Sequence, residues 1–283
     1  MNVLEALSYA RREFLNKGCD QNIRAGLESE LLLSFAMDCT REWLHTWGDR
    51  EIEACELDIF KECISRRNSG EPIEYITQSA GFYGYNFYVD NRVLIPRPET
   101  EILIEKIKPL IIEHHIKNIA EIGIGSGVIS VILGLLYLDI NITATDISML
   151  AIEVAQTNID FFSTRSNRLQ ERIELVRTNL LDGVEGSFEI LVSNPPYIAQ
   201  DYPLEKNVLY EPKTALFGGV IGDELLKSII KLAYEKKVRF LACEIGYDQR
   251  GSLDLFLKEH GYKATFYKDF SGLDRGFIAE LKS

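Results

Sequence analysis

At 283 residues, 46% of them hydrophobic, the chain is long enough for one large domain or two modest ones, with ample apolar content for a globular core. A net charge of −12 argues against affinity gained by neutralising nucleic-acid phosphates, since such binding shows a basic face. The basic pairs Arg11-Arg12, Arg66-Arg67 and Lys236-Lys237 are short and scattered, five cysteines show no C-x-x-C spacing, and the four histidines form no metal set. Met1-Asn2-Val3-Leu4-Glu5 has neither a basic start nor a long apolar run, and the most apolar stretch, 128–138, is too short to span a bilayer. A cytoplasmic protein without membrane association is expected.

Residues 1–78 read as helical. Leu4, Leu7, Ala10 and Phe14 recur at three- to four-residue spacing with Gly18 as the stop, 28–37 presents Leu31, Leu32, Leu33 and Phe35, and 52–67 presents Leu57, Ile59, Phe60 and Ile64. Without a glycine-rich phosphate loop or strand alternation, this part is expected to be a small all-α bundle that docks or packs. Over 79–97 the texture changes: 81–89 is aromatic, β-prone and broken by glycine, and Val93-Leu94-Ile95 follows the polar pair Asp90-Asn91. That pattern predicts a β-hairpin linker with its turn near Asp90-Asn91. Pro96-Arg97-Pro98 suits a stiff linker or a wall of a pocket, and Pro98 opens a helix to about residue 112.

From Asn118 strands and helices alternate. The pattern predicts a strand over 119–122, a glycine-rich turn over 123–127, a buried helix over 128–138 and a strand over 140–145 ending at Asp146. A helix over 149–162 follows, then a strand over 173–176 leading into Thr178-Asn179-Leu180, and a strand over 189–192. Helices over 223–233 and 253–261 flank a strand over 238–245, and two apolar stretches, 262–267 and 276–281, complete the count. The fold class is therefore α/β over 98–283, a parallel sheet covered on both faces.

The fourth of these strands stops abruptly at Asn194-Pro195-Pro196-Tyr197. Proline cannot donate to a sheet ladder and holds φ near about −65°, so the corner is rigid and its carbonyl directions are fixed. The Asn194 amide oxygen and the Pro195 carbonyl put two acceptors on one corner, enough for both hydrogens of a planar –NH₂ group, with the Tyr197 ring against the group that carries it. An ordinary proline-rich turn is the plainer alternative.

Gly123, Gly125 and Gly127 let the backbone approach a ligand, and Asp146 at the end of the next strand is placed to accept from ribose hydroxyls. A dinucleotide site would carry G-x-G-x-x-G facing a pyrophosphate. Here the third glycine comes one position early, and Glu121 puts a carboxylate where a pyrophosphate is unwelcome. That carboxylate suits a cofactor bearing an ammonium and a sulfonium, so the loop favours S-adenosylmethionine over NAD. The Gly123 turn, Asp146, Asn179-Leu180 and Asn194 follow successive strands and are expected on one edge of the sheet, with Asn179 or its neighbours at the adenine.

Further segments add specificity: Gly81-Phe82-Tyr83-Gly84, Val93-Leu94-Ile95-Pro96-Arg97-Pro98-Glu99-Thr100-Glu101, Tyr210-Glu211-Pro212 with Ala215-Leu216-Phe217-Gly218-Gly219, Cys243-Glu244-Ile245-Gly246, and 269–275. With these, nearly the whole chain resembles the S-adenosylmethionine-dependent methyltransferases of the N-P-P-Y class, and within them the glutamine N5-methyltransferases of peptide chain release factors. The resemblance implies a Rossmann-like, seven-stranded methyltransferase domain over 98–283 with a reversed last strand, preceded by a helical docking domain over 1–78 and a hairpin linker over 79–97.

It implies methyl transfer from S-adenosylmethionine, leaving S-adenosylhomocysteine, to the glutamine of a Gly-Gly-Gln loop in a release factor. The implied catalytic residues are Asn194, Pro195 and Tyr197. The cofactor residues are Glu121, Gly123, Ile124, Gly125, Ser126, Gly127, Asp146, Ile147, Asn179, Leu180 and Asn194. The substrate residues are Asn194, Pro195, Pro196, Tyr197 and Arg97. No metal, nucleic acid or membrane is expected, and the chain is expected to act as a monomer. Glu121 and Asn179 stand where family members often carry aspartate, so contacts there are expected to differ in detail. The rivals are an adenine or guanine amino methyltransferase, against which the charge weighs, a glutamine methyltransferase for a ribosomal protein, and a non-catalytic sensor of S-adenosylmethionine, against which the intact N-P-P-Y weighs.

Overall fold

The computed structural model describes residues 1–16 and 23–282, so the helix stop at Gly18 and the thiol of Cys19 lie outside the described residues. Two compact units share the chain. One is Met1–Ser79 with Leu204–Tyr210, and the other is Ala80–Pro203 with Glu211–Ser283. This division gives the hairpin segment to the second unit and adds seven residues from beyond the proline corner to the first.

The first unit holds α1 (Val3–Asn16), α2 (Ala25–Ala36), α3 (Arg41–Thr46), α4 (Ala54–Asn68) and α5 (Ile73–Thr77). Val3, Leu7, Phe14, Leu32, Leu33, Leu44, Phe60 and Ile64 are among its core; Leu4, Phe35 and Ile59, predicted for the same apolar faces, are exposed instead. The short α3 and α5 were not predicted, because one or two turns give no periodicity to read. Their signals are chemical instead: the Thr40 side chain caps α3 by accepting from Trp43 N at 3.3 Å, and Pro72 precedes α5. Arg67 Nε donates to Glu28 Oε2 at 2.7 Å, a buried pair tying α4 to α2. Tyr210 joins this unit by donating its hydroxyl to the Ser69 carbonyl at 3.0 Å.

The second unit begins with β1 (Ala80–Phe82) and β2 (Tyr85–Phe87), an antiparallel hairpin. Its turn is Tyr83-Gly84, not the predicted Asp90-Asn91, because both turn residues take positive φ, 52° and 78°, as a two-residue hairpin requires. The Asp90 carboxylate instead accepts from Arg92 N at 3.0 Å and from its guanidinium, so 93–95 runs as irregular chain rather than a strand.

After α6 (Pro98–Glu113) come β3 (Asn118–Ile122), α7 (Val128–Leu136), β4 (Asn141–Asp146), α8 (Met149–Phe162), α9 (Leu169–Arg172), β5 (Ile173–Arg177) and β6 (Ile190–Ser193). The two-residue β7 (Ile198–Ala199) pairs with β8 (Phe217–Gly219), and α10 (Glu224–Glu235), β9 (Phe240–Glu244), α11 (Arg250–Glu259), β10 (Tyr262–Lys268) and β11 (Asp274–Leu281) follow.

The seven-stranded sheet has the order β10-β11-β9-β6-β3-β4-β5. The inner pairs are parallel, but β11 runs antiparallel to both β9 and β10, so the sheet is mixed rather than purely parallel. The reversal follows from length: β10 and β11 are joined by a short turn, which permits only antiparallel pairing.

Alternate residues of the strands feed two cores. Ile119, Ile190, Val192 and Ala242 pack with Leu103, Ile107, Val131 and Ile152 of α6, α7 and α8. Ala120, Leu191, Leu241 and Cys243 pack with Leu226, Ile230, Leu253 and Leu257 of α10 and α11. The cross-strand register sets Ile122 beside Thr145 and Ser193, and Ser193 beside Cys243. The C-terminal ends of β3, β4, β6 and β9 therefore open on one edge.

Candidate active site

A cleft of about 360 Å³ lies on that edge. Its floor is the glycine turn after β3, where Gly123 N and Ile124 N donate to the Thr145 carbonyl at 2.8 and 3.0 Å. A side chain built on Gly123 or Gly125 would meet nothing within 4 Å, because those positions face open space. Gly127 does not line the cleft; its Cα abuts Ala155, whose Cα lies 3.4 Å from where a Cβ would be, so it lets α7 start tightly against α8. Glu121, Ile124, Ser126, Ile147, Asn179 and Leu180 line the cleft with Gly123 and Gly125.

Asp146 ends β4 and ties the loop down. One carboxylate oxygen accepts from Gly125 N at 3.1 Å and the other from Ser148 N at 2.9 Å, which leaves acceptor positions facing the cleft. Burial pushes its pKa up, against these backbone N–H bonds. Thr145 Oγ1 donates to the Leu180 carbonyl at 2.7 Å and so holds the turn after β5, where Leu180 has φ 51°.

Glu121 is 1% exposed and takes a hydrogen bond from the Ser130 hydroxyl of α7. Burial pushes its pKa up to about 8, opposed by Ser130. Ser130 escaped the sequence reading, although a lone serine in the apolar run 128–138 was its signal. Because the folded pKa lies above the ordinary carboxylate value of 4.5, the carboxyl favours folding fully below that value and loses this contribution as the pH rises to about 8. Glu121→Gln is therefore expected to gain thermal stability relative to the wild type by a few °C between pH 5 and pH 8. A difference in melting temperature that stays constant with pH would contradict the assignment.

The proline corner stands opposite. Asn194 Nδ2 donates to Thr100 Oγ1 at 2.9 Å, and the Thr100 hydroxyl donates to Glu244 Oε2 at 2.8 Å. Among the described residues no hydrogen bond takes up the Pro195 carbonyl. Asn194 and Pro196 line the cleft, whereas Pro195 and Tyr197 do not. The Tyr197 ring packs against the core beneath α10 and α11, and its hydroxyl donates to Glu244 Oε1 at 3.3 Å. Burial pushes the phenol up, so it stays protonated. Arg97 lines the cleft with its guanidinium on the buried Glu211 at 2.5 Å. Thr100 and Glu244 were not picked out individually, although both fall inside segments quoted above for their specificity.

Behind the corner β7 and β8 leave no spare volume. A Cβ on Gly218 would lie 2.4 Å from the carbonyl oxygens of both Pro196 and Gly222. Gly218→Ala is expected to cost roughly 1–3 kcal/mol of stability, because backbone must move to admit the methyl group. Urea denaturation with an unchanged midpoint would refute this.

The curated proteins similar to the chain include "Release factor glutamine methyltransferase" of Koribacter versatilis, 37% identical and spanning 78% of this chain and 79% of that one. The protein of the same description from Chlorobaculum tepidum is 34% identical over 97% of this chain and 96% of its own. The chain belongs to the release factor glutamine methyltransferase family. Consistent with membership of this family, residues 5–77 match the PrmC N-terminal domain and 98–215 the Methyltransferase small domain. Among solved structures, the hMettl16 catalytic domain in complex with a MAT2A 3′UTR hairpin has a TM-score of 0.56 at 19% identity, covering 81% of this chain and 82% of that one. The N-terminal domain of human METTL16 in complex with SAH has a TM-score of 0.52 at 18% identity, covering 81% and 83%. These two structures share the fold of this family member over the parts of the chain that they cover.

Proposed function

We infer that this chain transfers the methyl group of S-adenosylmethionine to the side-chain amide nitrogen of the glutamine in the Gly-Gly-Gln loop of a peptide chain release factor. One observation carries the chemistry: Asn194, which lines the cleft, gives its Nδ2 to Thr100 and so keeps its oxygen as an acceptor, and the neighbouring Pro195 carbonyl, which no hydrogen bond takes up among the described residues, is the second acceptor of this reading. The cleft also suits the cofactor. Open space above Gly123 and Gly125 admits a ligand against the backbone, Asp146 retains acceptor positions for ribose hydroxyls, and Glu121 offers a carboxylate beside an ammonium.

When bound, S-adenosylmethionine supplies a methyl group activated on a sulfonium. A glutamine amide nitrogen is a poor nucleophile, because its lone pair is delocalised into the carbonyl. Asn194 Oδ1 and the Pro195 carbonyl accept its two hydrogens and surround the nitrogen with negative dipoles as positive charge grows there, which stabilises the transition state. They also fix the orientation of the amide nitrogen, which would be presented to the cofactor's methyl group when S-adenosylmethionine is bound. The surplus proton leaves to solvent after transfer, so no strong base is needed beforehand. Tyr197 supports the corner from behind, Asn179 and Leu180 border the adenine, and Arg97 with Pro196 meets the substrate loop.

No helix among the described residues is long and apolar enough to cross a membrane. We assign the chain to the cytoplasm, where release factors act, as a monomer that does not methylate nucleic acid; the −12 charge supports the last point. Radiolabelled methyl transfer to purified release factor, to a ribosomal protein and to nucleic acid tests the assignment. Label on release factor alone is expected, and label on nucleic acid alone would overturn it.

A further inference from the structure

An asparagine amide has two ends of nearly equal size, and only the oxygen end accepts hydrogens from a substrate –NH₂. Which end faces the cleft therefore decides whether Asn194 helps or repels the incoming amide. Its partner Thr100 is a hydroxyl, which donates or accepts as its surroundings dictate. The surroundings here are specific. The single Thr100 proton is given to Glu244 Oε2 at 2.8 Å, leaving only lone pairs to face Asn194 Nδ2 at 2.9 Å. Glu244 is 1% exposed and, when ionised, accepts from both Thr100 and the Tyr197 hydroxyl. Were the Thr100 proton free, it would bond the Asn194 oxygen equally well and the amide would turn over.

We propose that Thr100, aligned by the buried Glu244, is a positioning residue that holds Asn194 with its oxygen toward the substrate amide. This presupposes the methyl transfer to glutamine inferred above. The ionised state of Glu244 matters because protonation makes it a donor, which releases the Thr100 proton toward Asn194. Burial pushes Glu244 up to about 7, against Thr100, Arg275 and Tyr197, while Glu99 raises it further. The groups facing it are Glu99 and Thr100 of α6, Tyr197 of the corner, Tyr267 of β10 and Arg275 of β11, whose guanidinium is held by Asp269 at 2.9 Å. The orientation of Asn194 is thus lost as the pH falls through the titration of Glu244, giving kcat an acid limb near pH 7.

Three variants of the full chain test this with release factor as substrate. Thr100→Val keeps the shape but removes the hydroxyl, and is expected to lower kcat roughly 10- to 100-fold. Its affinity for S-adenosylmethionine by calorimetry should stay within about twofold, since Thr100 holds no proposed cofactor contact. Thr100→Ser should restore most of the rate. Glu244→Gln cannot titrate and should lose the acid limb of the kcat profile. Independently of turnover, the side-chain amide protons of Asn194 should exchange slowly with solvent in the wild type and rapidly in Thr100→Val.

Wild-type kcat in Thr100→Val, or an acid limb that persists in Glu244→Gln, would overturn the proposal. If Glu244→Gln does not fold, the Val and Ser pair at position 100 decides. A wild-type enzyme that methylates no glutamine would instead refute the proposed function, and amide exchange would still judge the orientation of Asn194.

Discussion

Asn194→Ala is expected to lower kcat by roughly 100- to 1000-fold, the range found when a preorganised polar group is removed from a developing charge. The loss arises because alanine deletes the acceptor that faces the substrate nitrogen and also strands Thr100 Oγ1, which now accepts from Asn194 Nδ2 at 2.9 Å. The affinity for S-adenosylmethionine should change only a few-fold, because the glycine turn and Asp146 lie on other strands and keep their own hydrogen bonds. Such a split between turnover and binding marks an interaction made mainly in the transition state. Single-turnover rates and calorimetry measure the two halves separately. A variant that turns over at the wild-type rate would remove Asn194 from the chemistry.

The second large effect falls on binding. Asp146→Ala should weaken S-adenosylmethionine by roughly 100-fold, about 3 kcal/mol, as expected for losing hydrogen bonds to a charged acceptor. Two effects combine: the ribose loses its partner, and the Gly125 and Ser148 amides lose the carboxylate that holds the turn, at 3.1 and 2.9 Å. Burial raises the pKa of Asp146, so its ionised, accepting form is lost at a higher pH than for an exposed aspartate, and affinity should fall as the solution is acidified. Calorimetric titration at neutral and acid pH measures both, and unchanged affinity in the alanine variant would exclude Asp146 from the site.

Much of this architecture was legible because the inner strands and long helices carry strong periodicity. The helix predicted over 149–162 is α8, Met149–Phe162, and the glycine turn, Asp146 and Asn194 do open on one edge of the sheet. The hairpin was misplaced because Asp90-Asn91 is a common turn pair, whereas a tyrosine with positive φ, as at Tyr83, has no ordinary sequence signal. Tyr197 was expected along the substrate, but burial of its ring on the α10 and α11 side and the pull of Glu244 turn it behind the corner.

The supporting contacts were hidden for a different reason. Thr100 and Asn194 are 94 positions apart, and Thr100 and Glu244 are 144 apart, so only the folded sheet and α6 bring them together. Glu121 was read as a charge, yet at 1% exposure its burial makes the protonated form the stable one near neutrality until a cation approaches.

Tandem mass spectrometry of a release factor incubated with this protein and S-adenosylmethionine tests the central claim most directly. The expected result is one added methyl group on the side-chain nitrogen of the glutamine in the Gly-Gly-Gln loop, abolished when that glutamine is replaced by alanine. Methylation at another residue, or none with an enzyme that demonstrably binds the cofactor, would contradict it.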